Sequence, residues 1–162
     1  MQDLQFEVRE VDGWRLPVIR IVDADMEIAA SARRVIGNSV YGSPSGKLNL
    51  ARWKVAVAKA VISQRGSMEL SGPRSFAVTV GFSFYPPAHG NGEFDIENFL
   101  KPTLDAVAGG LFEENMEIIW NDVTRWHYND SVFHSLLVHR LQDADFHDAE
   151  GAAIFVSARK TK

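Results

Sequence analysis

Residues 75–85 read SFAVTVGFSFY. Phe76, Val78, Val80, Phe82 and Phe84 alternate with small or polar residues, the period-two pattern of a strand with one buried face. These apolar positions form a thick aromatic-aliphatic layer and are core candidates. Pro86-Pro87 ends the strand, and His89-Gly90-Asn91-Gly92 lengthens the loop after it. A helix is predicted from about Asn98 to Ala108, with Leu100, Leu104 and Val107 turned inward, and Gly109-Gly110 is expected to stop it.

Upstream of the strand, residues 49–64 (NLARWKVAVAKAVISQ) place Leu50, Trp53, Val57, Ala60 and Val61 at three- and four-residue spacing. This is the stripe of an amphipathic helix, with Arg52, Lys54 and Lys59 assigned to its outer face. Residues 36–48, rich in glycine and serine, read as a loop. Residues 24–35 give a weak signal, a short helix or irregular chain. Residues 14–22 (WRLPVIRIV) read as a strand, with Pro17 pointing to an edge or a strand start. Downstream, residues 118–128, 132–141 and 152–158 read as strands, and the polar stretch 143–150 as a connection. The order implies an α+β domain, a single mixed sheet with helices packed on it.

The chain of 162 residues has the size of one domain. Its 46% hydrophobic and 23% charged residues suit a soluble globular protein and exclude long disorder, collagen and coiled-coil rods. No apolar run approaches the roughly 20 residues that span a bilayer. The first ten residues lack the basic start and apolar stretch of a signal peptide. With no cysteine there are no disulfides, thiolate zinc sites or cysteine nucleophiles, and a cytoplasmic location is expected.

The net charge of -4 is unevenly spread. Between Ser31 and Arg74 eight basic residues face one acid, Glu69. Such a block can make one face attractive to phosphate. Arg33, Arg34, Lys47, Arg52, Lys54 and Lys59 are candidate phosphate contacts, with Tyr41 and the 36–48 loop reaching toward the nucleic acid. The bland alternative is a solvated helix face.

The chemistry concentrates between Gly92 and Asp122. Asp95 and Glu97, two apart beside a glycine-rich loop, could share one ion if the segment is extended. Carboxylates are the hard ligands that Mg²⁺ and Mn²⁺ prefer. Lys101 follows Glu97 by four residues and Asp105 follows Lys101 by four, one turn each on a continuous helix. Pro102 works against that continuity. Asp122 lies at the start of a later strand. Three carboxylates and a lysine suit phosphoryl transfer. The plainer reading is a helix N-terminus favoured by acids, with Lys101 in an i,i+4 ion pair. His89, His127, His134 and His139 show no metal-ligand spacing, and Trp120 and Trp126 read as core.

The string from Asp95 to Val107, DIENFLKPTLDAV, resembles the D-x-D-N-x-x-K-x-x-x-D-A-L signature of the RusA family of Holliday-junction resolvases. The resemblance spans about Asn49 to Tyr128 and includes a later acidic site, Asn121-Asp122, where the family carries two aspartates. It implies a RusA-like fold, with Asp95, Glu97 and Asp122 as metal ligands, Lys101 as catalytic lysine, and Asn98 and Asp105 capping the helix and fixing its approach. It also implies a homodimer that binds four-way DNA junctions in recombination and repair. The implied activity is that of a crossover-junction endodeoxyribonuclease, a hydrolase making paired Mg²⁺-dependent nicks (Mn²⁺ as a possible substitute). Glu97 stands where the family usually has aspartate, and Asn121 replaces the first downstream acid. Two alternatives stay open: a branched-DNA-binding module with little cleavage, and a metal-dependent nuclease or phosphoesterase of other substrate.

Overall fold

A computed structural model describes residues 4–21, 27–33, 44–66, 74–83, 96–112, 132–142 and 144–160; for 44–49, 74, 97–98 and 159–160 the description is of the backbone alone. The elements in chain order are strands β1 (Leu4–Val11), β2 (Trp14–Ile21) and β3 (Glu27–Ala32), helix α1 (Pro44–Arg65), strand β4 (Arg74–Ser83), helix α2 (Ile96–Phe112), and strands β5 (Phe133–Arg140) and β6 (Gly151–Lys160). A 3₁₀ turn, Ala144–Phe146, precedes β6.

The alternation in β4 has the expected result. Phe76, Val78, Val80 and Phe82 are all buried and join the main core. The strand lies inside a four-stranded sheet of order β3-β6-β4-β5. It pairs antiparallel with β6 and parallel with β5. The parallel pairing needs a crossover, and α2 lies in that connection.

The sheet is the middle of three layers. In β6, Ala152, Ile154 and Val156 join the main core, which includes Val57 and Val61 of α1 and Val107 and Leu111 of α2. The intervening Ala153 and Phe155 belong to a second cluster with Ile19, Leu4, Phe6 and Ile21 of β1 and β2. Alternation along one strand therefore sorts its side chains between helices on one face and a hairpin on the other. At Gly81 of β4, an added Cβ would lie 2.5 Å from the Phe6 ring. The glycine lets the hairpin come close.

The architecture is α+β, but the expectation of a single sheet is corrected, because β1 and β2 form a separate two-stranded sheet. They pair antiparallel from Leu4↔Ile21 to Val11↔Trp14. Asp12 and Gly13 close the hairpin with φ of 51° and 78°. Positive φ at both central residues is the type I′ requirement, which suits Asp-Gly.

Three boundaries also differ from expectation. Residues 27–32 form a strand and not a short helix. Ile28, Ala30 and Ala32 alternate inward along β6, and this burial outweighs the helix propensity of alanine. Helix α1 starts at Pro44, inside the expected loop, with proline as its first helical residue. Helix α2 runs through Gly109-Gly110 to Phe112. An added Cβ at Gly110 would lie 2.9 Å from Val61 Cβ and 3.2 Å from the Ala58 carbonyl. That glycine serves close helix approach and not chain termination. The expected strand at 118–128 lies outside the described residues. Among the described residues no helix is long and apolar enough to cross a membrane.

Candidate functional site

The N-terminal half of α2 is fixed to its neighbours by contacts among four buried side chains. Phe99 packs edge-on against Trp53 of α1, with ring centroids 5.8 Å apart, and tilted against Phe82 of β4 at 6.4 Å. The Trp53 indole Nε1–H donates to the Thr103 hydroxyl at 2.8 Å. That hydroxyl donates in turn to the Phe99 carbonyl one turn earlier. The Thr103 hydroxyl thus donates and accepts, as a buried hydroxyl should.

On this clamped helix, positions 97, 101 and 105 fall on successive turns. The helix stays continuous through Pro102, which is itself buried. Position 97 lies in the first turn. The backbone of Asn98 also lies inside that turn. The Lys101 ammonium donates to Asp105 Oδ1 at 2.7 Å. The Lys101 side chain is 52% exposed and that of Asp105 only 3%. The pair therefore connects the helix surface to its buried side.

Lys54 of α1 corrects a second expectation. Its residue type suggests the outer basic face, yet it is only 2% exposed. Its spacing explains this: it follows Leu50 by four residues and precedes Val57 by three, so it lies within the apolar stripe. Burial lowers its pKa from the ordinary lysine value. Asp105 acts in the opposite direction, and Lys101 adds to the lowering. A buried ammonium is tolerated only beside a compensating charge, and Asp105 supplies one.

The other expected contacts divide. Arg52 and Lys59 are exposed on α1, seven residues apart and so two turns along one face. Arg33 is exposed, with its guanidinium 4.0 Å from the centre of the Trp14 ring. The backbone of Lys47 is helical, as is that of Glu97. Asp95, Asp122 and Arg34 lie outside the described residues. Among the described residues, no three histidine or acidic side chains gather as a metal-binding group. Arg65, in the same basic block, donates to the Leu111 carbonyl at 2.6 Å and so ties the C-terminal ends of the two helices together. His139 packs edge-on against Phe6, and His134 hydrogen-bonds Ser75.

The chain matches no protein-family model and no curated protein.

Proposed function

We propose that the chain is a RusA-like, Mg²⁺-dependent endonuclease that resolves four-way DNA junctions by paired phosphodiester hydrolysis. The reading rests on the motif from Asp95 to Asp105 together with one observation. Helix α2 is unbroken through Pro102, so Glu97, Lys101 and Asp105 keep the one-turn spacing that the motif requires. The half-exposed Lys101 side chain, anchored on a buried carboxylate, suits a cation that meets substrate phosphate.

In this reading Asp95, Glu97 and Asp122 would hold a Mg²⁺ ion, whose chemistry there is to polarise the scissile phosphate and lower the pKa of the attacking water. Lys101 stabilises negative charge developing on the phosphate. Asp105 holds Lys101 between turnovers. Arg52 and Lys59, and Arg33 with Trp14 beneath it, are the described groups available to DNA phosphates. The protein acts as a homodimer on the two-fold symmetry of a junction.

The test is Asp95→Asn. It is expected to bind a four-way junction as tightly as wild type and to cut it undetectably. Cutting at the wild-type rate would remove the assignment.

A further inference from the structure

The hairpin of β1 and β2 ends in two large apolar side chains that stay in water. Val11 is 43% exposed and Trp14 38%, and they are paired opposite each other beside the Asp12-Gly13 turn. Asp-Gly alone specifies that turn, which asks for no tryptophan. Arg33, itself exposed, holds its guanidinium 4.0 Å from the centre of the Trp14 ring and so covers one ring face. The tip is also tied to the approach to β6. The Arg15 guanidinium donates to Asp148, and the Glu150 N–H donates to the Arg15 carbonyl at 3.0 Å. Strand register fixes where this tip stands. Ala32, next to Arg33, pairs with Ala152, and Ala152 pairs with Phe82, which packs against Phe99 near the start of α2. Trp14 with Arg33 and the start of α2 therefore lie at the same end of the sheet, on opposite faces. Across the sheet they are two strand spacings apart, roughly 10 Å. One DNA spanning that end of the sheet meets both.

We propose that Trp14 is a base-stacking residue: the ring face that Arg33 leaves open stacks on an unstacked nucleobase at the branch point of DNA, and the Arg33 guanidinium takes an adjoining phosphate. An aromatic face beside a cation is the combination by which proteins hold unpaired bases. The cation–π contact keeps the ring in one orientation, so binding costs little side-chain freedom. Arg33 belongs to the basic block between Ser31 and Arg74, where eight bases face one acid. Asp12, at the turn, repels phosphate and so favours a neutral base as the partner of the ring. A linear duplex keeps its bases stacked on one another and offers Trp14 no free face, whereas a branch point does. The inference rests on the function proposed above, and adds to it a residue that tells branched from linear DNA.

The test measures binding in EDTA, where nothing is cut, by fluorescence anisotropy of a labelled four-way junction and of a linear duplex built from the same arms. Trp14→Ala is expected to lower the ratio of junction to duplex affinity at least about fivefold, the low end of what one stacked base contributes. Trp14→Phe, which keeps a flat ring, should recover most of that ratio. Trp14→Leu, which keeps an apolar side chain without a ring, should not. An unchanged ratio in Trp14→Ala, with both affinities falling together or neither falling, would make Trp14 an anchor of the hairpin and overturn the proposal. A wild-type ratio in Trp14→Leu would also overturn it, because a merely apolar surface needs no ring. Failure of the function proposed above is read separately, in the wild type. A wild-type protein that binds the junction no better than the duplex would remove the junction reading and this inference with it. One that binds the junction selectively but never nicks it would remove the nuclease and leave the stacking result standing.

Discussion

The Trp53 indole and the Thr103 hydroxyl meet at 2.8 Å across the contact between α1 and α2, two residues beyond Lys101. Both side chains are buried. The bond fixes the turn of α2 that carries Lys101 against the helix that carries Lys54. Thr103→Val removes the acceptor at nearly constant volume and leaves the indole N–H unsatisfied. A loss of about 1–3 kcal/mol in unfolding free energy is expected, read by urea denaturation with an unchanged m-value. Trp53→Phe should cost a comparable amount, and the double variant less than the sum, because both changes remove the same bond.

Gly110→Ala tests how closely the helices approach. In an exposed helix the change would gain about 1 kcal/mol from propensity. Here the new methyl meets Val61 Cβ at 2.9 Å and the Ala58 backbone carbonyl at 3.2 Å. Overpacking of this kind costs about 1–3 kcal/mol, so net destabilisation is expected in a thermal melt. A raised Tm would mean that the helices are further apart than described.

Much of this layout is readable in the chain, and each misreading has a physical source. The strand at 75–85 is legible because one face is core and the alternation is uninterrupted. Strand β1 is easily missed, although Asp12-Gly13 between two alternating runs is a hairpin signal. Strand β3 is obscured by alanines, whose preference for helix yields to pairing with β6. Gly109-Gly110 looks like a stop because composition cannot reveal that α1 lies against that surface. Lys54 points outward by residue type alone, although its spacing from Leu50 and Val57 already places it within the apolar arc. The Lys101–Asp105 pair follows from i,i+4 spacing, but the burial of Asp105 depends on tertiary packing and so requires the fold.

Lys54 gives stability a distinctive pH dependence. Its folded-state pKa is lowered from 10.5, chiefly by burial. Between that lowered value and about 10.5 the unfolded chain binds more protons than the folded one, so the Lys54 contribution to stability increases as pH rises. The difference in unfolding free energy between wild type and Lys54→Met should therefore shift in favour of wild type as pH rises through this window. A flat difference would show that Lys54 is as well solvated as an ordinary lysine.

The exposed and buried lysines should separate in salt dependence. Arg52→Ala and Lys59→Ala are each expected to reduce the slope of log K against log salt for junction binding by about 0.9 for every phosphate that the variant leaves without its cation. Lys54, only 2% exposed, cannot itself contact phosphate, so a changed slope in Lys54→Met would report on the groups it holds in place. Fluorescence anisotropy across a salt series reads both.

Lys101→Met separates chemistry from folding. Asp105 retains Lys54 beside it, so stability should change by less than about 1 kcal/mol. Loss of a cation at the reacting phosphate should lower kcat about 10²- to 10³-fold. A large stability loss with unchanged cleavage would make Lys101 a structural residue.

The central claim is tested most directly by incubating the wild-type protein with a synthetic four-way junction and with a linear duplex built from the same arms, each with Mg²⁺ and with EDTA. Symmetrically paired, Mg²⁺-dependent nicks in the junction and none in the duplex are the predicted result. Equal cutting of both substrates, or no cutting of either, would contradict it.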